Sequence, residues 1–331
     1  LGASVRRLGA ILSSYLTFRI LKGLLVVALI SVLTFVIMRL MPGDPVFMLL
    51  GEGQIPITDA QIEAIRAKWG LDRPYHEQFL VWVVNLLRGD FGTSLIRTGV
   101  PVRQMIFEAI PVTALLNLYA LALAIAVAVP MGILAAARRN SWIDYATNAF
   151  SALGIATPNF WLALMLIVLF ALYVPRWFGD LPLIGRIPPF GLRSWQGWIL
   201  PVIVLATEEM AVLMRITRGT VLELLPQDFV RTAWSKGLSE RVVLYRHVVA
   251  NALLPVVTVI GFRIAFILSG TIIVENVFAI PGIGRLFVDS VMRLDYQVVQ
   301  SLVVIFAVLV VIVNLLTDLV YALIDPRIRI S

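Results

Sequence analysis

The chain has 331 residues, a formal net charge of +7, and a composition that is 60% hydrophobic and only 14% charged. Its mean hydropathy is +0.93, and one water-soluble globule cannot hide that much apolar surface, because its exterior still demands polar cover. A soluble enzyme is excluded. With no cysteine and two histidines, His76 and His247, so are disulfide frameworks, thiolate centres and histidine-based metal clusters.

Arg6, Arg7, Arg19 and Lys22 precede the first apolar run, a pattern that superficially matches a signal peptide. The run has no small-x-small cleavage site and closes with Arg39 and Met41-Pro42-Gly43-Asp44-Pro45, so a retained first helix is expected. Arg39 and Lys22 lie near its ends and read as snorkelling anchors. Six segments are long enough to cross about 30 Å of hydrocarbon: Ile20–Met41, Ile110–Ala137, Ala146–Val174, Trp198–Met214, Ala250–Val274 and Val298–Ile324. Unbroken apolar runs exclude a spanning barrel, which needs short alternating strands. The expected fold is all-α and polytopic.

Six spans put both termini on one side. If that side is cytoplasmic, segments 1–22, 138–145, 215–249 and 325–331 hold 14 basic and 5 acidic residues, against 11 and 12 outside. Lys and Arg are retained on the cytoplasmic side, so both termini are expected there. The chain then divides into an N-terminal segment with the first span (1–41), an extracytoplasmic cap (42–108) and a five-helix core (109–331). Within the cap, Thr58-Asp59-Ala60-Gln61 reads as a helix start and Gly70 as its end. Trp177, Tyr173, Trp195 and Trp198 fit an interfacial aromatic belt.

Three acidic or basic residues fall mid-span: Glu208 and Glu209 in the fourth and Arg263 in the fifth. A charge at the bilayer centre costs about 2.5–3.5 kcal/mol, so one glutamate is expected to pair with Arg263 as a structural ion pair; the alternative is that the other faces the passage and attracts a cationic group. Asp318 shares a face of the last span with Asn314, Thr317 and Tyr321, expected to pack against protein. Pro158 is expected to kink the third span, with Asn159 beside it.

The core carries a polar, helix-prone loop, 215–250, far longer than a bundle connector. Phe229, Val230, Ala233 and Trp234 form an apolar stripe on its first helix, with Asp228 as the expected cap; Gly237 breaks it, and Ser239-Glu240 starts a second helix ending near Asn251. Such a stripe packs on its own bundle or fills a partner's groove. No phosphate-binding loop, dinucleotide fingerprint, serine triad or zincin motif is present, and the basic residues flank spans rather than form a nucleic-acid face. No catalytic centre is expected.

Asp228-Phe229-Val230-Arg231-Thr232-Ala233-Trp234-Ser235-Lys236-Gly237-Leu238-Ser239 resembles the cytoplasmic signature of ABC-importer permeases, E-A-A-x-x-x-G. Arg246 to Pro255, Arg39 to Pro45, Gly70-Leu71-Asp72-Arg73-Pro74, Arg88-Gly89-Asp90-Phe91-Gly92-Thr93-Ser94 and Thr157-Pro158-Asn159-Phe160-Trp161 are similar to its dipeptide/oligopeptide branch. So is Glu275-Asn276-Val277-Phe278-Ala279-Ile280-Pro281-Gly282-Ile283-Gly284 on the outer face. Arg231-Thr232 stands where the general signature has Glu-Ala, as in B-type subunits, and Ala250 where many families have proline.

The resemblance implies a type I ABC importer (MetI-like) fold with a cap between helices 1 and 2, in the bacterial inner membrane. It implies a second homologous permease subunit, two cytoplasmic ATP-binding subunits and an extracytoplasmic solute-binding protein. ATP and Mg would sit on those partners, with no cofactor on this chain. Asp228 through Ala233, with Trp234, Lys236 and Gly237, would couple to the ATPases. The implied cargo is peptides; opines, nickel chelates or glutathione are the alternatives. An ion-coupled secondary transporter needs repeat-related broken helices, and no internal repeat is evident; an intramembrane hydrolase lacks a catalytic pair.

Overall fold

The computed structural model describes residues 2–43, 46, 58–97, 99–179, 187–192, 194–266 and 271–324; side chains of 2–16, 178, 262–266 and 316–324 are outside this description. Among the described residues the chain is helical, with a lone antiparallel bridge between Thr93 and Pro101. It forms two compact units, Leu1–Ile110 with Leu286–Ser331, and Pro111–Arg285.

The first unit contains α1 (Gly2–Leu40), α2 (Asp59–Trp69) and α3 (Tyr75–Leu87). The start of α4 (Val102–Ala137) also belongs to it, as do most of α13 (Ile283–Met292) and all of α14 (Tyr296–Ile324). The helix expected between Thr58 and Gly70 is present as α2. The Gln61 side chain accepts the Thr58 N–H at 3.1 Å, and Gly70 ends the helix at φ +66°. α1 runs along α14, its Gly23 so close to Val311 that a side chain there would collide. Small residues permit such approach where hydrophobicity alone does not drive helices together. Elsewhere α1 leaves Leu21, Leu24, Leu25, Leu29 and Leu33 exposed, as a lipid-facing helix does.

α3 is a second helix in the 42–108 segment, one that local sequence signals do not single out. Its Phe79 and Trp82 pack on Phe35 of α1. Arg39 is a correction: it is no snorkelling anchor. Its Nε and Nη2 both donate to Gln78 Oε1, at 3.1 and 2.8 Å, and its guanidinium lies over the rings of Phe35 and Tyr296 at 4.4 and 4.6 Å. The reason is tertiary, since α3 and α14 present an acceptor and ring faces that outcompete the water a snorkelling arginine seeks. Ser94 donates to buried Asp295 at 2.5 Å, and the backbone N–H of Leu95 does so at 3.1 Å, tying the segment after α3 to the start of α14.

In the second unit α4 continues to Ala137. It is followed by α5 (Trp142–Ala156), α6 (Asn159–Val168), a π-helical turn at Leu169–Tyr173 and α7 (Val174–Phe178). The third expected span is therefore not continuous. Thr157 and Pro158 adopt extended backbone (ψ 119° and 136°) and separate α5 from α6. Proline excludes its preceding residue from helical ψ and offers no N–H to continue the ladder, so a break replaces the kink.

Next come α8 (Ile199–Leu224), α9 (Asp228–Ser235), α10 (Glu240–Val242), a π-helical run at Val243–Val249, α11 (Ala250–Phe266) and α12 (Ile272–Val277). α8 is central: Leu200, Val204, Ala206, Ala211, Leu213 and Met214 are buried in it. Gly154 of α5 and Gly132 of α4 meet it closely, at Ala211 and at Thr217. The loop's second helix does not end near Asn251 but runs on into the fifth span, because Ala250 stands where a proline would interrupt it.

Among the described residues, five helices are long and apolar enough to cross a membrane: Thr17–Leu40, Val102–Ala137, Asn159–Trp177, Glu240–Gly261 and Tyr296–Leu315. α8, at 26 residues, has the length, about 39 Å, but carries Glu208, Glu209, Arg215 and Arg218.

Candidate functional site

The 215–250 loop folds back onto its own unit and divides the apolar stripe in two. Gln227, not Asp228, is the N-cap position of α9, and Asp228 is the first helical residue. An acid in the first turn suits the helix dipole equally well. Val230 and Ala233 are 0% and 4% exposed and pack with Ile133, Val221, Val243 and Val248. Phe229 and Trp234, 41% and 48% exposed, point away from that cluster. Arg231 lies 3.7 Å from Asp228, both largely solvated; Thr232 and Lys236 are exposed. Gly237 has φ +76°, with nothing within 4 Å of the place a Cβ would occupy. Left-handed backbone, not crowding, requires the glycine there.

Beside this loop lies a brace that the sequence reading counted only as loop charge. Arg218 of α8 grips Asp144 of α5 in a bidentate pair, Nε–Oδ1 2.5 Å and Nη2–Oδ2 3.0 Å. Asp144 also accepts the Asn140 N–H (3.0 Å) and Asn148 Nδ2–H (2.9 Å). The Arg218 guanidinium holds the Asp144 carboxyl below the usual carboxylate range, against the opposing effect of burial. The Ser141-x-x-Asp144 spacing was the legible signal: Ser141 caps α5 and accepts the Asp144 N–H at 3.4 Å.

At the break between α5 and α6, Asn159 Nδ2 donates to Glu208 Oε2 at 2.9 Å. Asn159 is thus joined to one of the two adjacent acids of α8. Glu209 is half-buried on α8. The side chains of Arg263 and Asp318 lie outside the described residues, and with them the expected ion pair and most of the Asn314 face. Asn117 bonds within its own helix, to Thr113 O at 2.8 Å.

The Glu275-to-Gly284 motif forms a compact polar knot. Glu275 is fully buried and accepts the Thr113 hydroxyl at 2.6 Å and the Arg285 N–H at 3.1 Å. Thr113 in turn accepts the Ile283 N–H at 2.9 Å. Burial pushes the Glu275 carboxyl above its ordinary range, against the Thr113 and Arg285 hydrogen bonds. Pro281 is exposed and opens the turn that brings Gly282 and Gly284 against this carboxyl. A Cβ on Gly282 would lie 2.5 Å from Glu275 Cδ and from Thr113 Oγ1. Gly282→Ala is therefore expected to destabilise the protein by about 1–3 kcal/mol through overpacking. In a Thr113→Ala/Glu275→Ala background, where both neighbours are shortened, it should cost much less; equal losses of melting temperature in both backgrounds would refute the contact.

Residues 128–330 match the family described as binding-protein-dependent transport system inner membrane component, and residues 12–117 match the N-terminal region of such membrane components. The oligopeptide transport system permease protein AppB of Bacillus subtilis is 41% identical over 328 residues, covering 96% of this chain and 100% of that protein. A putative peptide transport system permease protein of Brucella abortus is 39% identical over 94% of this chain and 97% of its own length. A probable peptide ABC transporter permease protein of Sinorhizobium fredii is 39% identical over 95% and 99%. With both regions matched in order and full-length relatives at this identity, the chain belongs to the binding-protein-dependent transport system inner membrane component family.

Proposed function

We propose that the protein is a transmembrane subunit of an ATP-driven peptide importer, paired with a second permease, two cytoplasmic ATPases and an outer solute-binding protein. The observation that carries this is the likeness, over nearly the whole chain, to relatives named for peptide transport. Coupling runs through α9. Val230 and Ala233 anchor the helix to the bundle, and Phe229 and Trp234 remain to fill an ATPase groove. ATP closes the ATPases, the grooves carry α9, and the bundle opens towards the binding protein; hydrolysis resets it inward. Val230 and Ala233 hold α9 against Val243 and Val248, in the π-helical run that leads into α11, so a push on α9 reaches the fifth span through those contacts.

The test is reconstitution with the partner subunits in vesicles. Peptide uptake that requires ATP and persists without an ion gradient is expected; uptake driven by an ion gradient alone would refute the reading. The orientation has its own measurement. Glu63, exposed on α2, becomes a cysteine in Glu63→Cys, and an impermeant thiol reagent added outside the cell is expected to label it. Labelling only after the membrane is disrupted would invert the topology.

A further inference from the structure

Two adjoining cavities, sharing Arg39, Leu71, Gln78 and Tyr296, lie in the unit that holds α1, α2, α3 and α14. The larger has a volume of about 680 Å³, and Glu63, Arg66, Asp72 and Tyr75 also line it. The smaller, about 110 Å³, is bordered by Arg39, Trp82 and Gln300 among others. Each of these three has a buried nitrogen with no hydrogen-bond partner in the protein: Arg39 Nη1, Trp82 Nε1 and Gln300 Nε2. Trp82 and Gln300 are 6% and 1% exposed. Buried donors are ordinarily paired, so three around one small chamber call for an acceptor.

The arrangement is held in place. Gln78 Nε2 donates to the carbonyls of Leu71 and Arg73, at 3.3 and 2.8 Å, which fixes its Oε1 towards Arg39. That oxygen takes Nε and Nη2 of the guanidinium, and Nη1 is left over. A permanent cation with two neutral N–H donors matches a carboxylate, whose two oxygens offer about four lone-pair sites. The acid bordering the chamber, Asp90, already accepts the Gly92 N–H at 2.8 Å. The larger cavity falls within the roughly 300–1,000 Å³ span of small-molecule sites, and beside Arg66 it offers two carboxylates, Glu63 and Asp72.

We infer that the small chamber receives the C-terminal carboxylate of a short peptide, whose ammonium end lies towards Glu63 and Asp72 in the larger cavity. The inference rests on the peptide-import reading and adds to it a substrate site in this subunit, separate from the binding protein. The clean probe is Trp82→Phe. It deletes one donor and keeps an aromatic ring against Phe35 and Phe79; an indole N–H, unlike an amide, has no acceptor assignment.

Trialanine and trialanine amide are titrated into the purified permease–ATPase complex in nanodiscs, without binding protein. Trialanine is expected to bind, its amide to bind at least roughly tenfold more weakly, and Trp82→Phe to weaken trialanine by roughly tenfold, as loss of a hydrogen bond to a charged group does. The amide should be indifferent to that substitution. Equal binding of acid and amide, or a Trp82→Phe complex that binds as the parent does, overturns the inference. Acetate binding as tightly as trialanine also overturns it, since the chamber would then take a free anion. A complex that imports trialanine with ATP yet binds none without the binding protein refutes this site alone; a complex that imports no peptide refutes the functional reading beneath it.

Discussion

Phe229→Ala combined with Trp234→Ala is expected to release the ATPases while the permease stays folded. Each side chain is about half exposed, so only that half remains to be buried on docking, about 1.5–3 kcal/mol for the pair. The affinity of the ATPases for the membrane subunits should fall roughly tenfold to a hundredfold, and ATP-driven uptake with it. Ala233→Asp has a different expected result from a position one residue away. Its carboxylate would enter the cluster of Ile133, Val221, Val243 and Val248, where an unpaired charge has no hydrogen-bonding partner. That variant should lose several kcal/mol of stability and melt early in detergent whether or not ATPases are present. Paired measurements of melting temperature and ATPase co-purification separate the two effects. Normal ATPase recovery by the Phe229/Trp234 double variant would end the docking assignment.

Arg218→Met should be strongly destabilising in the core next to the loop. It leaves the buried Asp144 carboxylate without its cation, a loss of about 3 kcal/mol, the low end for a buried pair because Arg218 is partly solvated. Adding Asp144→Leu should recover most of that loss. The pH dependence carries a sign. With Arg218 present, the folded-state pKa of Asp144 lies below its unfolded value, about 3.9. The stabilisation from the pair is therefore complete above that value and fades as pH falls through the lower folded one. Without Arg218 only the Asn140 and Asn148 hydrogen bonds still oppose burial, so the variant should lose less stability than the parent as pH falls. A melting temperature of Arg218→Met that falls with pH as steeply as the parent's would refute the pair as the source of stability.

Most of what places this protein in a membrane and in its family can be read along the chain. Apolar run length and charge asymmetry survive any fold, because they are set by hydrocarbon thickness and the cost of moving charge. The signature around Asp228–Gly237 is local too, and so are the Thr58 and Gly70 boundaries of α2, since capping needs only neighbours within a turn. Local rules also have limits: a proline within an apolar run implies a kink, where extended Thr157 and Pro158 divide the span, and a helix end is implied near Asn251, where the helix runs on into α11.

Contacts between residues far apart in sequence were decided by the tertiary structure. An i, i+1, i+4, i+5 stripe specifies an apolar face, but only the positions of α4 and α8 determine that Val230 and Ala233 are covered while Phe229 and Trp234 are not. Arg39 reads as an anchor by its place at a helix end, yet Gln78 and Tyr296, from two other helices, turn it inward. Thr113 and Glu275 are separated by 162 residues, Asp144 and Arg218 by 74. No periodicity links such pairs, because a buried polar group's partner is selected by which surfaces meet, and that is settled only when the helices pack.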